Sequence, residues 1–158
     1  MTGPTIHPTG WRPVAGAALT GGGVTWLAAQ AWLYSGGGLP SLGAGAWLPV
    51  LLCAVVTAWI AWTTHQAVGV RRESLEPRTA VTRLQLAKAG VLAAAAVGAG
   101  YLALLAVSLG GWPAPLAQAR VLHGALAIVA CLGWGIAALA LERACRIPRP
   151  PEDPPESP

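Results

Sequence analysis

Long apolar stretches separated by short polar or glycine-rich breaks set the pattern of this chain. Four of them, residues 14–34, 47–64, 84–109 and 120–141, are each long enough to cross a membrane. A hydrocarbon core about 30 Å thick takes roughly 20 helical residues at a rise of 1.5 Å each. The pattern predicts an all-α integral membrane four-helix bundle. In this reading residues 1–13 form a disordered cytoplasmic lead-in, 14–147 the four-span transmembrane domain, and 148–158 a disordered tail rich in proline and acid.

Interruptions within the spans say how the helices should meet. Gly21, Gly22 and Gly23 weaken the first span as a helix, so a bend or a tight contact is expected there. Trp47 marks the outer end of the second span and Trp59 and Trp62 its inner end, where amphipathic rings favour the headgroup level; Pro49 is placed in its first turn. Between Ala93 and Gly100 the third span contains only Ala, Val and Gly, which lets neighbouring backbones approach on nearly every side. That span is expected at the centre of the bundle, with Gly90, Ala94 and Gly98 as packing positions. Residues 35–46 and 110–119 carry no charge and read as short external turns.

Composition supports the membrane reading and then orients the chain. Of 158 residues, 54% are hydrophobic and only 10% charged, mean hydropathy is +0.55, and there is no Phe. The pI near 9.5 would suggest nucleic acid in a soluble protein, but here the basic residues sit beside spans. Val68 to Ala89 holds Arg71, Arg72, Arg78, Arg83 and Lys88, half of all Lys and Arg, and reads as a cytoplasmic loop. Arg12 precedes the first span, and Arg143, Arg146 and Arg149 follow the last. Nine of the 10 basic residues thus fall on one side against Arg120 on the other, which places both termini in the cytoplasm of a plasma-membrane protein. Arg120 is expected to snorkel to the outer headgroups.

Arg12, an apolar run and Ala29-Gln30-Ala31 together resemble a signal peptide with its cleavage site. The apolar run continues through Trp32, Leu33 and Tyr34, as in an uncleaved span, so the first helix is expected to be retained.

Chemistry-bearing residues are sparse. Cys53 and Cys131 lie inside spans and Cys145 just beyond the last, where a cytoplasmic thiol stays reduced. The three histidines are scattered, His65 reading as a solvated span exit, and no phosphate loop, Cys-x-x-Cys or intramembrane carboxylate pair occurs. No catalytic residue, metal or cofactor is expected. Lys88, the one Lys, and Glu142, the one acid near the fourth span, fall at similar depth and form a candidate charge pair. Arg71, Arg72, Arg78, Arg83, Arg143 and Arg146 are candidates for contact with lipid headgroups or a partner protein.

Several motifs carry a family likeness: Leu75-Glu76-Pro77-x-x-Ala80, Leu84-x-Leu86-Ala87-Lys88-Ala89, Gly98-x-Gly100-Tyr101, and Leu141 to Pro148. With these the chain resembles a family of small actinobacterial four-span membrane proteins known only as a domain of unknown function, whose genes often lie beside those for folate (pterin) biosynthesis. The resemblance implies a fold and a location, with no activity to carry over. The residues themselves favour a non-enzymatic scaffold or accessory subunit in the lipid bilayer, with a membrane or cytoplasmic protein as partner and no nucleic acid. The alternative is a small oligomeric transporter or channel, with Lys88, Glu142, Arg120 and Gln30 along its path and a link to pterin metabolism through gene neighbourhood alone. An enzyme using Arg71, Arg72 and Arg78 as an anion clamp, with Glu73 or Glu76 as acid or base, stands third.

Overall fold

A computed structural model describes residues 10–38, 41–66, 77–109 and 115–145, which form four helices and no strand. They are α1 (Trp11–Tyr34), α2 (Ala44–His65), α3 (Pro77–Leu109) and α4 (Pro115–Ala144). Each apolar segment read from the sequence lies within one of them. Arg71, Arg72, Arg146, residues 1–9 and the 148–158 tail lie outside the described residues.

The helices begin earlier than the apolar pattern indicates, for a local reason. Pro77 and Pro115 are the first residues of α3 and α4, a position where the missing N–H has no intrahelical acceptor to lose and the fixed φ already suits a helix. Arg78, Arg83 and Lys88 therefore stand on α3 rather than in a loop. Residues 115–119, read as a turn, open α4, whose last turn includes Glu142 and Arg143. Pro49 is likewise displaced. With α2 starting at Ala44 it is the sixth helical residue, inside the helix, where the carbonyl of Gly45 loses its i+4 donor. The adjacent Ala46 carbonyl is met from outside, by the Tyr101 hydroxyl of α3, which donates to it at 2.5 Å.

The turn after α1 closes as its glycines require. Gly36 takes a φ of 81°, open to glycine without a steric penalty, and the N–H groups of Ser35, Gly36 and Gly37 return to the carbonyls of Ala31, Leu33 and Trp32. The Trp32 indole N–H then donates to the Gly38 carbonyl at 3.1 Å.

Packing runs in the order α1, α3, α4, α2. The central pair, α3 and α4, is antiparallel: Gly90 meets Ala138, Gly135 meets Ala94, Gly98 meets Cys131 and Gly124 meets Leu105. α1 lies parallel to α3, with Gly21 against Ala96 and Gly100 against Thr25, and α2 lies parallel to α4. The starts of α1 and α3 and the ends of α2 and α4 thus share one end of the molecule. It carries Arg12, Arg83, Lys88 and Arg143 and is called the basic end below.

The glycine tract of α1 resolves into a tight contact. A Cβ on Gly21 would fall 2.2 Å from the Ala96 carbonyl oxygen, so no larger residue fits unless the helices part. Gly22 rests on Ala99, whereas Gly23 faces open space.

What is buried and what is exposed reverses the order of a water-soluble fold. The core consists mainly of alanines, among them Ala87, Ala127 and Ala138 at 0% exposure, and its largest fully buried side chains are Leu141 and Thr64. The bulky residues point outward on all four helices: Leu19 is 77% exposed, Trp59 64%, Leu102 56% and Ile136 68%. Burying such a side chain is worth about 1.5–3 kcal/mol in water. A surface that forgoes that gain, around an interior of small residues, suits helices solvated by lipid and held together by close packing.

By length and composition three helical segments are fit to span a membrane, Ala44–His65, Val81–Leu109 and Pro115–Ala144. α1, at 24 residues, is long enough but not apolar enough, because Gly21–Gly23, Thr20, Thr25 and Gln30 dilute it.

Candidate functional site at the basic end

Three helices converge at the basic end on a small polar cluster over an apolar plug. Ala61, Ala87 and Leu141, from α2, α3 and α4, form the plug, with Ile60 and Cys145 packed against it. Thr64 is fully buried one turn beyond Ala61. Its hydroxyl donates to the Ile60 carbonyl at 2.7 Å and accepts a hydrogen bond from Arg83 Nη1 at 2.8 Å, tying α3 to α2 across the loop that joins them. Arg83 is half-buried, so it turns inward and does not simply face headgroups.

Glu142 belongs to the same end and is 3% exposed. Lys88 is half-buried on α3. The α3–α4 register that sets Gly90 against Ala138 carries on to place Lys88 level with Leu141, one residue from Glu142. Arg143, next along, is exposed. Cys145 follows the helix end, its N–H donating to the Leu141 carbonyl at 3.1 Å. Burial pushes its thiol above the ordinary range, and the positive charge of Arg83 partly opposes that rise.

Lighter polar ties fasten the rest of the α2–α4 seam. Trp134 Nε1 donates to the Thr57 hydroxyl at 3.2 Å, and that hydroxyl donates to the Cys53 carbonyl at 2.7 Å. Near the opposite end Trp47 Nε1 donates to His123 Nδ1 at 3.3 Å. These partners are not apparent from apolar runs alone, yet a signal exists. Ala54, Thr57, Ala61 and Thr64 recur at spacings of three and four and are the buried residues of α2, a stripe of small and hydroxyl side chains on an otherwise bulky helix.

The packing positions read on α3 line its contact with α4. A Cβ on Gly90 would sit 3.2 Å from that of Ala138, and one on Gly98 3.3 Å from that of Cys131. Among the described residues no three of His, Cys, Asp and Glu come together as metal ligands would. Cys53, Cys131 and Cys145 are free thiols. Arg120 is half-buried near the start of α4, and His65 is exposed at the end of α2.

Grooves open between the helices. One of about 620 Å³ lies between α1 and α3 beside Tyr101 and Leu42. A second, about 380 Å³, separates α2 from α3 over Trp134. A third, about 360 Å³, lies between α1 and α4 with α3 as its floor.

A helical protein with three membrane-length apolar helices, small residues inside and bulky ones outside, has the build of an integral membrane protein. Residues 14–149 match the model of the family described as "Protein of unknown function (DUF3180)", and the chain belongs to that family. No curated protein and no solved structure matches it.

Proposed function

We propose that the chain is a multi-pass protein of the cell membrane that crosses it four times with both ends in the cytoplasm and acts as a non-enzymatic scaffold or accessory subunit. The observation that carries this reading is the placement of small side chains inside and bulky ones outside along every helix. It extends to α1, which exposes Leu19, Val24 and Leu27 and packs through Gly21 on α3, and this supports a fourth span despite its weaker hydropathy.

The clustering of Arg12, Arg83, Lys88 and Arg143 at one end supports the orientation, since basic residues stay on the cytoplasmic side. The proposed partner, a membrane or cytoplasmic protein, docks at that end; Arg71, Arg72, Arg78 and Arg146 are further candidates for that contact on the sequence alone. Lys88 and Glu142, level in the α3–α4 register, lock the ends of those two helices in this reading. The alternative, an oligomeric transporter or channel, has less support. The buried hydroxyls of Thr57, Thr64 and Ser108 all donate to carbonyls of their own helices and leave little to line a polar path.

Reporters fused after Pro158 and within residues 71–78 should register as cytoplasmic, and one inserted at Gly37 as external; the reverse at any site would overturn the topology. Crosslinking in intact membranes, followed by gentle extraction and mass spectrometry, should then recover a stoichiometric protein partner. Recovery of a homo-oligomer that conducts solute in vesicles would replace the scaffold with the transporter.

A further inference from the structure

Opposite the basic end, the first turn of α2 depends on side chains of other helices. Its N-cap, Gly43, offers no side-chain acceptor to the free N–H groups, no acid stands in the turn, and Pro49 removes the bond that the Gly45 carbonyl would accept. Two ties hold the turn from outside. Tyr101 of α3 donates to the Ala46 carbonyl, and Trp47 donates its indole N–H to Nδ1 of His123 on α4 at 3.3 Å.

The second tie fixes the charge of the histidine. An indole N–H can only donate, so Nδ1 presents a lone pair and the ring is neutral, with its proton on Nε2. Imidazole takes up a proton between about pH 5 and 8, and that proton enters at Nδ1, turning the pair into two donors that face each other. The surrounding groups do not offset the new charge. Arg120 lies three residues earlier on α4 and adds a like charge. α3 presents Tyr101, α1 ends in Tyr34, and the first titratable group on α2 is Cys53, about 9 Å along the helix from Trp47. The chain's six acids fall just before α3, in the last turn of α4 or in the tail, so among the described residues no carboxylate stands at this end. A tie that neutral imidazole alone can make is present in neutral and alkaline solution and is lost as acid protonates the ring.

The same segment supplies the wall of a groove. Leu42, two residues before α2 begins, lines the groove of about 620 Å³ between α1 and α3, beside Tyr101 and Leu104. It reaches α4 as well: a Cβ on Gly124, the residue after His123, would lie 4.0 Å from Leu42 Cδ1 and 3.5 Å from Leu105 Cδ1.

We propose that the first turn of α2 is an acid-released latch on this groove: proton uptake by His123 frees Trp47, and the turn ahead of Pro49 draws Leu42 away from α3 and α4. In the topology proposed above this end is external, so acid outside the cell operates the latch. In detergent both ends meet the buffer, and a test made there is independent of that topology.

The test uses the full chain with its three native cysteines replaced by Ala. Nitroxide labels go on Ser41→Cys, beside Leu42, and on Val129→Cys, at an exposed position of α4, and pulsed electron resonance reads the distance between them. From about pH 8 to about pH 5 the distance should lengthen and its distribution broaden, reversibly. His123→Gln keeps an acceptor for the indole but takes up no proton, so it should hold the shorter distance in acid. Trp47→Phe keeps an aromatic ring without the N–H and should give the longer distance throughout. His65→Gln, at the other end of α2, should respond as the wild type does. An unchanged distance in the wild type, a response in His123→Gln or Trp47→Phe equal to that of the wild type, or a response abolished by His65→Gln would each overturn the latch.

Discussion

The Thr64 hydroxyl works in both directions, donating to Ile60 and accepting from Arg83, in a place with no exposure to solvent. Thr64→Val keeps the shape but leaves the guanidinium facing a methyl group, and an unpaired buried donor costs about 1–3 kcal/mol. We expect Thr64→Val and Arg83→Met each to destabilise the protein in detergent unfolding, and the pair together by less than the sum, since the second change removes the group that the first orphans. Cys145 reports on the same guanidinium. Burial raises its thiol and Arg83 opposes that, so Arg83→Met should raise it further and slow maleimide labelling of Cys145 at pH about 8, read peptide by peptide against Cys53. A thiol raised in the folded state contributes stability that is complete below its unfolded value, about 8.5, and is lost as pH rises through the folded one. The end of α4 should thus loosen in alkali. None of this was legible in the sequence, because Arg83 and Thr64 stand 19 residues apart across a loop, and a basic residue beside a span reads as a headgroup contact.

At the scale of the element, α3 and α4 show what pattern can and cannot reveal. The small-residue tract of α3 is a matter of composition, so its close packing on a neighbour could be read directly. The neighbour's identity could not, since α4 presents Cys131, Gly135 and Ala138, an unremarkable selection from a helix rich in alanine. Where the helices start beyond the apolar segments was not legible, because proline signals both a break and a beginning, and only backbone geometry separates the two at Pro77 and Pro115. The register itself is testable. Gly98→Leu drives a branched side chain toward Cys131, whose Cβ already lies 3.3 Å from where the first added carbon would be, and overpacking of this kind costs about 1–3 kcal/mol. Leu102→Ile, on a side chain 56% exposed, should change stability by less than about 0.5 kcal/mol. Thermal unfolding of both variants in one detergent compares them, and equal tolerance would mean that Gly98 faces lipid.

Over the whole molecule, α1 is the outlying helix. It contributes one buried residue, Ala29, against nine from α4, and its main packing partner is α3, which follows it by a full hairpin in the chain. Half of the residues that dilute it, Gly21, Gly22 and Thr25, are ones that meet Ala96, Ala99 and Gly100, so part of its weak hydropathy has a packing cause. Insertion and assembly therefore make opposite demands on this helix. A Leu at position 21 favours entry into the bilayer, by about 0.3–0.6 kcal/mol on insertion scales, but cannot coexist with the Ala96 carbonyl at its present distance. Gly21→Leu should accordingly raise the inserted fraction of α1 expressed alone, measured by glycosylation of a lumenal tag, and lower the unfolding temperature of the full chain. Gly23→Leu adds the same apolar surface where nothing lies within 4 Å, so it should raise insertion and leave the unfolding temperature nearly unchanged. If both variants insert better and unfold alike, the contact at Ala96 does not hold α1 to the bundle, and the first helix is retained by its own hydrophobicity.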